Sequence, residues 1–276
     1  MARVKGPLTI VGNLKGISLY TVKGSDTVFV RTKGGPKKNR IKTGKEFEKL
    51  RQHQGEWPGA IMFSKCVRYC IFDLLKLGDY NVTPVLNGMG KRLMKLDTVN
   101  PIGQRSVMIS KAKDELAGFD LNRNFPFSSV LRTSLTVTID KSVPELRVQI
   151  PRLRTATDIY NVQKLPYFKL LFALSYIPDV HYRPDSDQQN KYYPDTDIYP
   201  NGTYTDGLKV ETEWLSTNDI IEAQELKIAY EAPFTEEQLN LITFLATGAM
   251  LFGAPAKGGV IEMVDHACCA KILTVE

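Results

Sequence analysis

Histidine, cysteine and tryptophan are scarce in this 276-residue chain, at three, four and two residues respectively. The histidines, His53, His181 and His266, fall in three separate segments, and none adjoins a nucleophile motif. No G-x-S-x-G elbow is present either. The expectation is therefore a protein without a catalytic set, not an enzyme and without a cofactor. No stretch approaches the roughly 20 uninterrupted apolar residues that a membrane span needs. The opening MARVKGPLTIVGNLKG is basic, but Gly12, Asn13 and Lys15 interrupt its apolar run. It offers neither an apolar core region nor a cleavage site, so cytoplasmic synthesis without a signal peptide is expected. On that footing the N-x-[ST] sequences at Asn81 and Asn201 are chance matches.

The four cysteines, Cys66, Cys70, Cys268 and Cys269, suit free thiols in an intracellular setting. Cys66 and Cys70 lie one helical turn apart. Cys268 and Cys269 are neighbours and would point to opposite faces of a strand. A zinc set of Cys66, Cys70, His266 and Cys268 is conceivable, but zinc ligands usually come in tighter pairs. Small buried apolar groups are the better reading, and no metal is expected.

What the chain has in quantity is charge, unevenly spread. Residues 1–55 hold 13 Lys/Arg against 3 Asp/Glu, whereas 179–237 hold 4 against 14. The densest cationic run is VRTKGGPKKNRIKTGKEF, 30–47. It fails as a phosphate loop: eight residues separate Gly35 from Gly44, and Glu46 stands where a magnesium-binding hydroxyl is required. No G-x-G-x-x-G follows the preceding strand. Arg31, Lys33, Lys37, Lys38, Arg40 and Lys42 could neutralise nucleic-acid phosphates, but the run contains no interleaved aromatic residues.

Residues 7–32 read as a three-stranded meander, PLTIVG, GISLYTV and DTVFVRT, with turns at Gly12-Asn13 and 23–26. From Thr43 the apolar spacing becomes helical, with Pro58 and Gly59 expected to separate two helices and Gly78 to end the second. Further helices are expected over 85–96 and 104–117. After Pro126 the pattern alternates. Residues 131–139 and 145–150 form the clearest hairpin, 167–177 is a strand buried on both faces, and 208–216 and 223–232 alternate again. Thr235 with Gln238 resembles a helical capping box, but the β-branched and aromatic residues after it favour a strand over 235–252. A last strand is expected within 260–275. The fold class is α+β: a β-meander and small helical layer over 1–124, then an immunoglobulin-like antiparallel β-sandwich over 125–276.

The insertion at 178–207 contains five Tyr, six Asp and four Pro. Loops of this length are usually functional or disordered, and the tyrosines favour an ordered surface excursion. DSDQQN and DTDIYPN begin like calcium loops but lack the later glycine and glutamate.

The residues Lys5-Gly6, Gly12, Tyr20, Arg31, Lys33-Gly34-Gly35, Ile41-Lys42-Thr43, Phe47, Arg51 and Glu56-Trp57 carry a resemblance. The first 75 residues resemble an uncharacterised Bacteroidetes-type family of β-rich hypothetical proteins; the remainder is similar only in its order of strands. The Tyr/Asp insertion and WPGAIMF depart from that pattern. The resemblance implies a bacterial, non-enzymatic β-rich protein and no catalytic residues.

Together these observations point to a structural or assembly protein that forms homomeric arrays or part of a larger particle. Arg31, Lys33, Lys37, Lys38 and Arg40 of one copy would meet Asp185, Asp187, Asp195 and Asp197 of another, with Tyr192, Tyr193 and Tyr199 adding contact area. The alternatives are a nucleic-acid-binding module using the basic front, or a surface recognition protein using the Tyr-rich loop.

Overall fold

The computed structural model describes residues 2–4, 11–22, 27–32, 34–185, 190–194, 207–231 and 234–276. The chain is mixed helix and strand with antiparallel sheets, and it divides into two compact units, 1–51 and 52–276. The division expected at 124/125 is thus not where the units part. The helices that follow residue 52 share a core with the later strands, which ties them to 125–276.

In the first unit, strands β1 (Ala2–Val4), β2 (Gly12–Leu14), β3 (Ile17–Thr21) and β4 (Val28–Thr32) form one antiparallel sheet in the order β1-β4-β3-β2. Gly12 and Asn13 belong to β2 and do not make the turn assigned to them. The turn is Lys15-Gly16, both at positive φ, the backbone that a tight hairpin demands. The expected turn at 23–26 and most of PLTIVG lie outside the described residues. Helix α1 (Lys38–Thr43) follows, and Arg51 donates to the Ile41 and Gly44 carbonyls at 2.7 and 2.8 Å, satisfying the end of that helix.

Helix α2 (Glu48–Cys70) runs unbroken through Pro58. A proline inside a helix costs about 3 kcal/mol. It is tolerated here because the buried face, Glu56, Gly59, Ala60, Phe63, Ser64, Cys66, Val67 and Cys70, continues across it at helical spacing. Helix α3 (Thr83–Leu93) packs close to α2, with Gly90 against Ala60 and Phe63. The helix expected over 104–117 is two short 3-10 turns, 109–111 and 113–115. Asp179 draws this stretch toward the strands, accepting from the Ser110 amide at 3.0 Å and its hydroxyl at 2.5 Å, and Val107 bridges Val180.

Beyond the short α4 (Phe127–Val130), the predicted hairpin is β5 (Thr136–Asp140) and β6 (Glu145–Ile150). Strand β7 (Leu153–Arg154) and α5 (Thr155–Asp158) lead into β8 (Tyr167–Pro178), which is mostly buried on both faces as its apolar run foretold. The insertion contains the hairpin β9 (Val180–Tyr182) and β10 (Tyr192–Pro194). Then come β11 (Leu208–Glu211), β12 (Leu215–Ser216), β13 (Ile220–Ile221) and β14 (Gln224–Ala229). The strand expected from 235 begins later. Thr235 and Gln238 complete a reciprocal capping box, so 236–241 is helix α6 (Glu236–Leu241). Strand β15 (Ile242–Pro255) takes over from there, followed by β16 (Ile261–Met263) and β17 (Cys269–Val275).

Strands β8 and β15 pair along almost their whole length at the centre of a curled, half-barrel sheet. The order is β11-β8-β15-β16, with β12 also on β8 and β17 also on β15. One face of this sheet packs on α2, α3 and the following loops. The other packs beneath the three-stranded sheet β14-β6-β5, through Leu146, Val148 and Ile150 against Phe168, Leu170, Phe172 and Phe244. Cys268 lies in the helical-side core and Cys269 in the opposite one, and burial raises the thiol pKa of each. Among the described residues no group of three or more His, Cys, Asp or Glu could hold a metal ion, and no helix is long and apolar enough to cross a membrane.

Candidate functional site

The cationic segment starts on β4. Arg31 is exposed near the end of that strand and lies opposite Ser18. Its guanidinium sits 5.4 Å from the Tyr20 ring, and Tyr20 in turn stacks on its cross-strand partner Phe29 at 5.9 Å. Lys33 lies outside the described residues. Lys37 and Lys38 are exposed where α1 begins, a position where the helix dipole favours no cation. Arg40 is exposed too, but its Nε donates to Glu46 Oε1 at 2.9 Å. The Glu46 carboxyl is held below its ordinary range by a backbone hydrogen bond and by this contact. Arg51 caps α1, as described above. The run is therefore only partly available to a partner: Lys37 and Lys38 have no ion-pair partner among the described residues, whereas Arg40 does.

Of the acidic and aromatic residues expected to meet it, Asp187, Asp195, Asp197 and Tyr199 lie outside the described residues. Asp185 is exposed just beyond β9. Tyr192 is 1% exposed, packed edge-on to Tyr182 at 5.3 Å, so its ring fills the interior and offers no outer contact area. That ring lies over Gly59, where an added Cβ would meet Tyr192 Cδ1 at 2.5 Å. Only a glycine on α2 leaves room for the hairpin to dock. Tyr193 is half-buried, and its hydroxyl donates to the Asn190 carbonyl. The insertion is ordered at its base, but that base is core more than surface excursion.

The most concentrated chemistry lies at a residue that the sequence singles out only within the family resemblance. Glu56, on α2, is fully buried. Arg105 grips it from both sides, Nε to Oε1 at 2.6 Å and Nη2 to Oε2 at 3.0 Å. Lys91 of α3 donates to Oε2 at 2.5 Å and the Gly103 amide to Oε1 at 2.9 Å. Burial alone would push this carboxyl up. The Arg105, Lys91 and Gly103 hydrogen bonds outweigh it and hold the group at about 2. The same contact raises Arg105. Close by, Asp97 collects the amides of Val99, Asn100 and Ser106 at 2.8–3.1 Å together with the Asn100 side chain, which shapes the loop that carries Arg105. The Tyr192 hydroxyl is buried without a hydrogen-bond partner among the described residues, and burial followed by the Glu56 charge drives its pKa upward. Two cations around one carboxylate join α2, α3 and the 97–106 loop. The cluster is suited to holding these elements together.

Three partners that lie 35, 47 and 49 positions from Glu56 carry no spacing signature, so the sequence pattern does not reveal this centre. The aromatic partners of Arg31 were more accessible: Tyr20, Phe29 and Arg31 follow from pairing the second and third strands of the meander. Comparisons with family models, with curated proteins and with solved structures found no match to this chain.

Proposed function

We propose that the protein is a non-enzymatic structural or assembly protein, building homomeric arrays or part of a larger bacterial particle through strand-edge and complementary-charge contacts. The observation that carries this reading is the thinness of the first unit. Its sheet ends in the edge strands β1 and β2, and of residues 11–51 with described exposure only Val28 is buried. Val11, Ile17 and Val22 are exposed. A sheet of this size gains stability by covering its apolar face and pairing its edges. A second copy can do both, with Lys37 and Lys38 facing the acidic 179–237 region. The resemblance to the Bacteroidetes-type family and an immunoglobulin-like arrangement of 125–276 belong to the same reading; the two antiparallel sheets sharing one apolar layer support the latter.

Negative-stain microscopy and sedimentation velocity test the proposal. Multimers are expected at about 0.1 M salt and smaller species at about 1 M, where the screening length drops from about 10 to about 3 Å. Replacing Lys37 and Lys38 by glutamate is expected to shift the wild-type midpoint to higher protein concentration. A monomer at every concentration and salt overturns the reading.

One observation favours a second reading, nucleic-acid binding by the first unit. The stacked Tyr20–Phe29 pair beside Arg31 combines an aromatic platform with a cation on a sheet face. Fluorescence anisotropy with single-stranded oligonucleotides would then show Tyr20→Ala losing about 1–3 kcal/mol and Arg31→Ala lowering the salt slope by about 1. Binding that ignores both changes rules this reading out.

A further inference from the structure

The outer face of α2 and the turn after it carry large apolar side chains where solvent would normally call for polar ones. Trp57 and Ile61, one turn apart, are 46% and 44% exposed, and Phe72 is 60% exposed. Farther along, Lys65, Arg68, Tyr69, Phe72 and Leu75 line a groove of about 250 Å³. Lys65 lies 5.7 Å from the Tyr69 ring. Arg68 lines the groove, no carboxylate pairs with it among the described residues, and its buried Nε has no acceptor there. Exposed aromatic groups beside an arginine are the residue types that concentrate binding energy at interfaces.

We propose that this groove receives the acidic 208–231 stretch of a second copy, an inference that rests on the assembly reading above. Charge chooses the occupant. The groove is cationic, and Glu213, Asp219 and Glu231 stand exposed on that stretch without an ion-pair partner among the described residues. Aromatic walls take the apolar part of the incoming segment, and Arg68 and Lys65 take its carboxylates. A like-with-like contact between two such grooves would set four cations against each other.

Sedimentation velocity on the full chain measures the concentration of half-assembly. Phe72→Ala, an exposed site that leaves the fold intact, and Arg68→Glu are each expected to raise it about tenfold or more. Mixing Arg68→Glu protein with Glu213→Lys/Glu231→Lys protein is expected to restore assembly. Hydrogen exchange should show 65–75 and 208–231 gaining protection together as concentration rises. An unchanged half-assembly concentration in both groove variants, while Lys37→Glu/Lys38→Glu weakens assembly, overturns the groove and leaves the assembly reading standing. Failure of the mixed pair to assemble, or protection of 65–75 already complete in dilute monomer, also overturns it. Wild-type protein that never associates removes both.

Discussion

Replacing Glu56 with glutamine is expected to lower the unfolding free energy by about 3–5 kcal/mol, since it leaves the mostly buried Arg105 and Lys91 beside a neutral group at a fully buried position. Urea titration at neutral pH measures the loss as a lower midpoint. The carboxyl's depressed pKa gives the acid dependence. In the unfolded chain the group titrates near 4.5, and in the folded chain at about 2. Its contribution is therefore complete above the unfolded value and disappears as pH falls from 4.5 through about 2. A depression of that size corresponds to roughly 3 kcal/mol, in line with the mutational figure. The difference between wild type and Glu56→Gln should accordingly be largest near neutrality and shrink toward pH 2. A gap that stays constant over that range would mean that ionisation of Glu56 is not what holds α2, α3 and the 97–106 loop together.

Phe172→Ala is expected to cost about 3–5 kcal/mol. Phe172 is fully buried in the middle of β8, and its partner across the ladder is Gly248 of β15. The ring occupies the space in front of that glycine, with Cε1 3.3 Å from where a Cβ would stand. Because Gly248 has no side chain to move into the gap, the cavity left by alanine cannot close from that side. A double-mutant cycle tests the geometry. Gly248→Ala alone should destabilise, because its methyl meets Leu273 Cδ1 at 2.7 Å as well as the Phe172 ring. In the Phe172→Ala background it should cost less, so the two changes are coupled by about 0.5–3 kcal/mol. Additive losses would show that ring and glycine do not share the space.

Elements whose local rule agreed with their surroundings were legible in the sequence. The alternation of Val137 and Ile139 with threonine, and of Leu146, Val148 and Ile150 with arginine and glutamine, became β5 and β6 with the expected faces inward. The unbroken apolar run of 167–177 announced a strand covered on both sides. Where two local rules competed, tertiary context decided between them. Pro58 argued for a break in α2, but the buried face on either side of it kept the helix intact. At 235–252 both rules applied in succession, the capping box to the first six residues of helix and the β-branched residues to the strand after them. The candidate surface was legible as charge but not as geometry. Counting Lys and Arg located the cationic segment, yet nothing in the count could say that Arg40 pairs with Glu46 and Arg51 with backbone carbonyls. Glu56 lay beyond reach for a different reason, since its three partners meet only through folding.

The paired β8 and β15 form a common wall between the two apolar compartments of the 52–276 unit. Neither side can lose its packing without baring the back of the other, so damage under the helices and damage under the three-stranded sheet converge on the same event. That unit should lose its native structure in a single concerted step, and the wall, more than either compartment, sets the temperature at which it does.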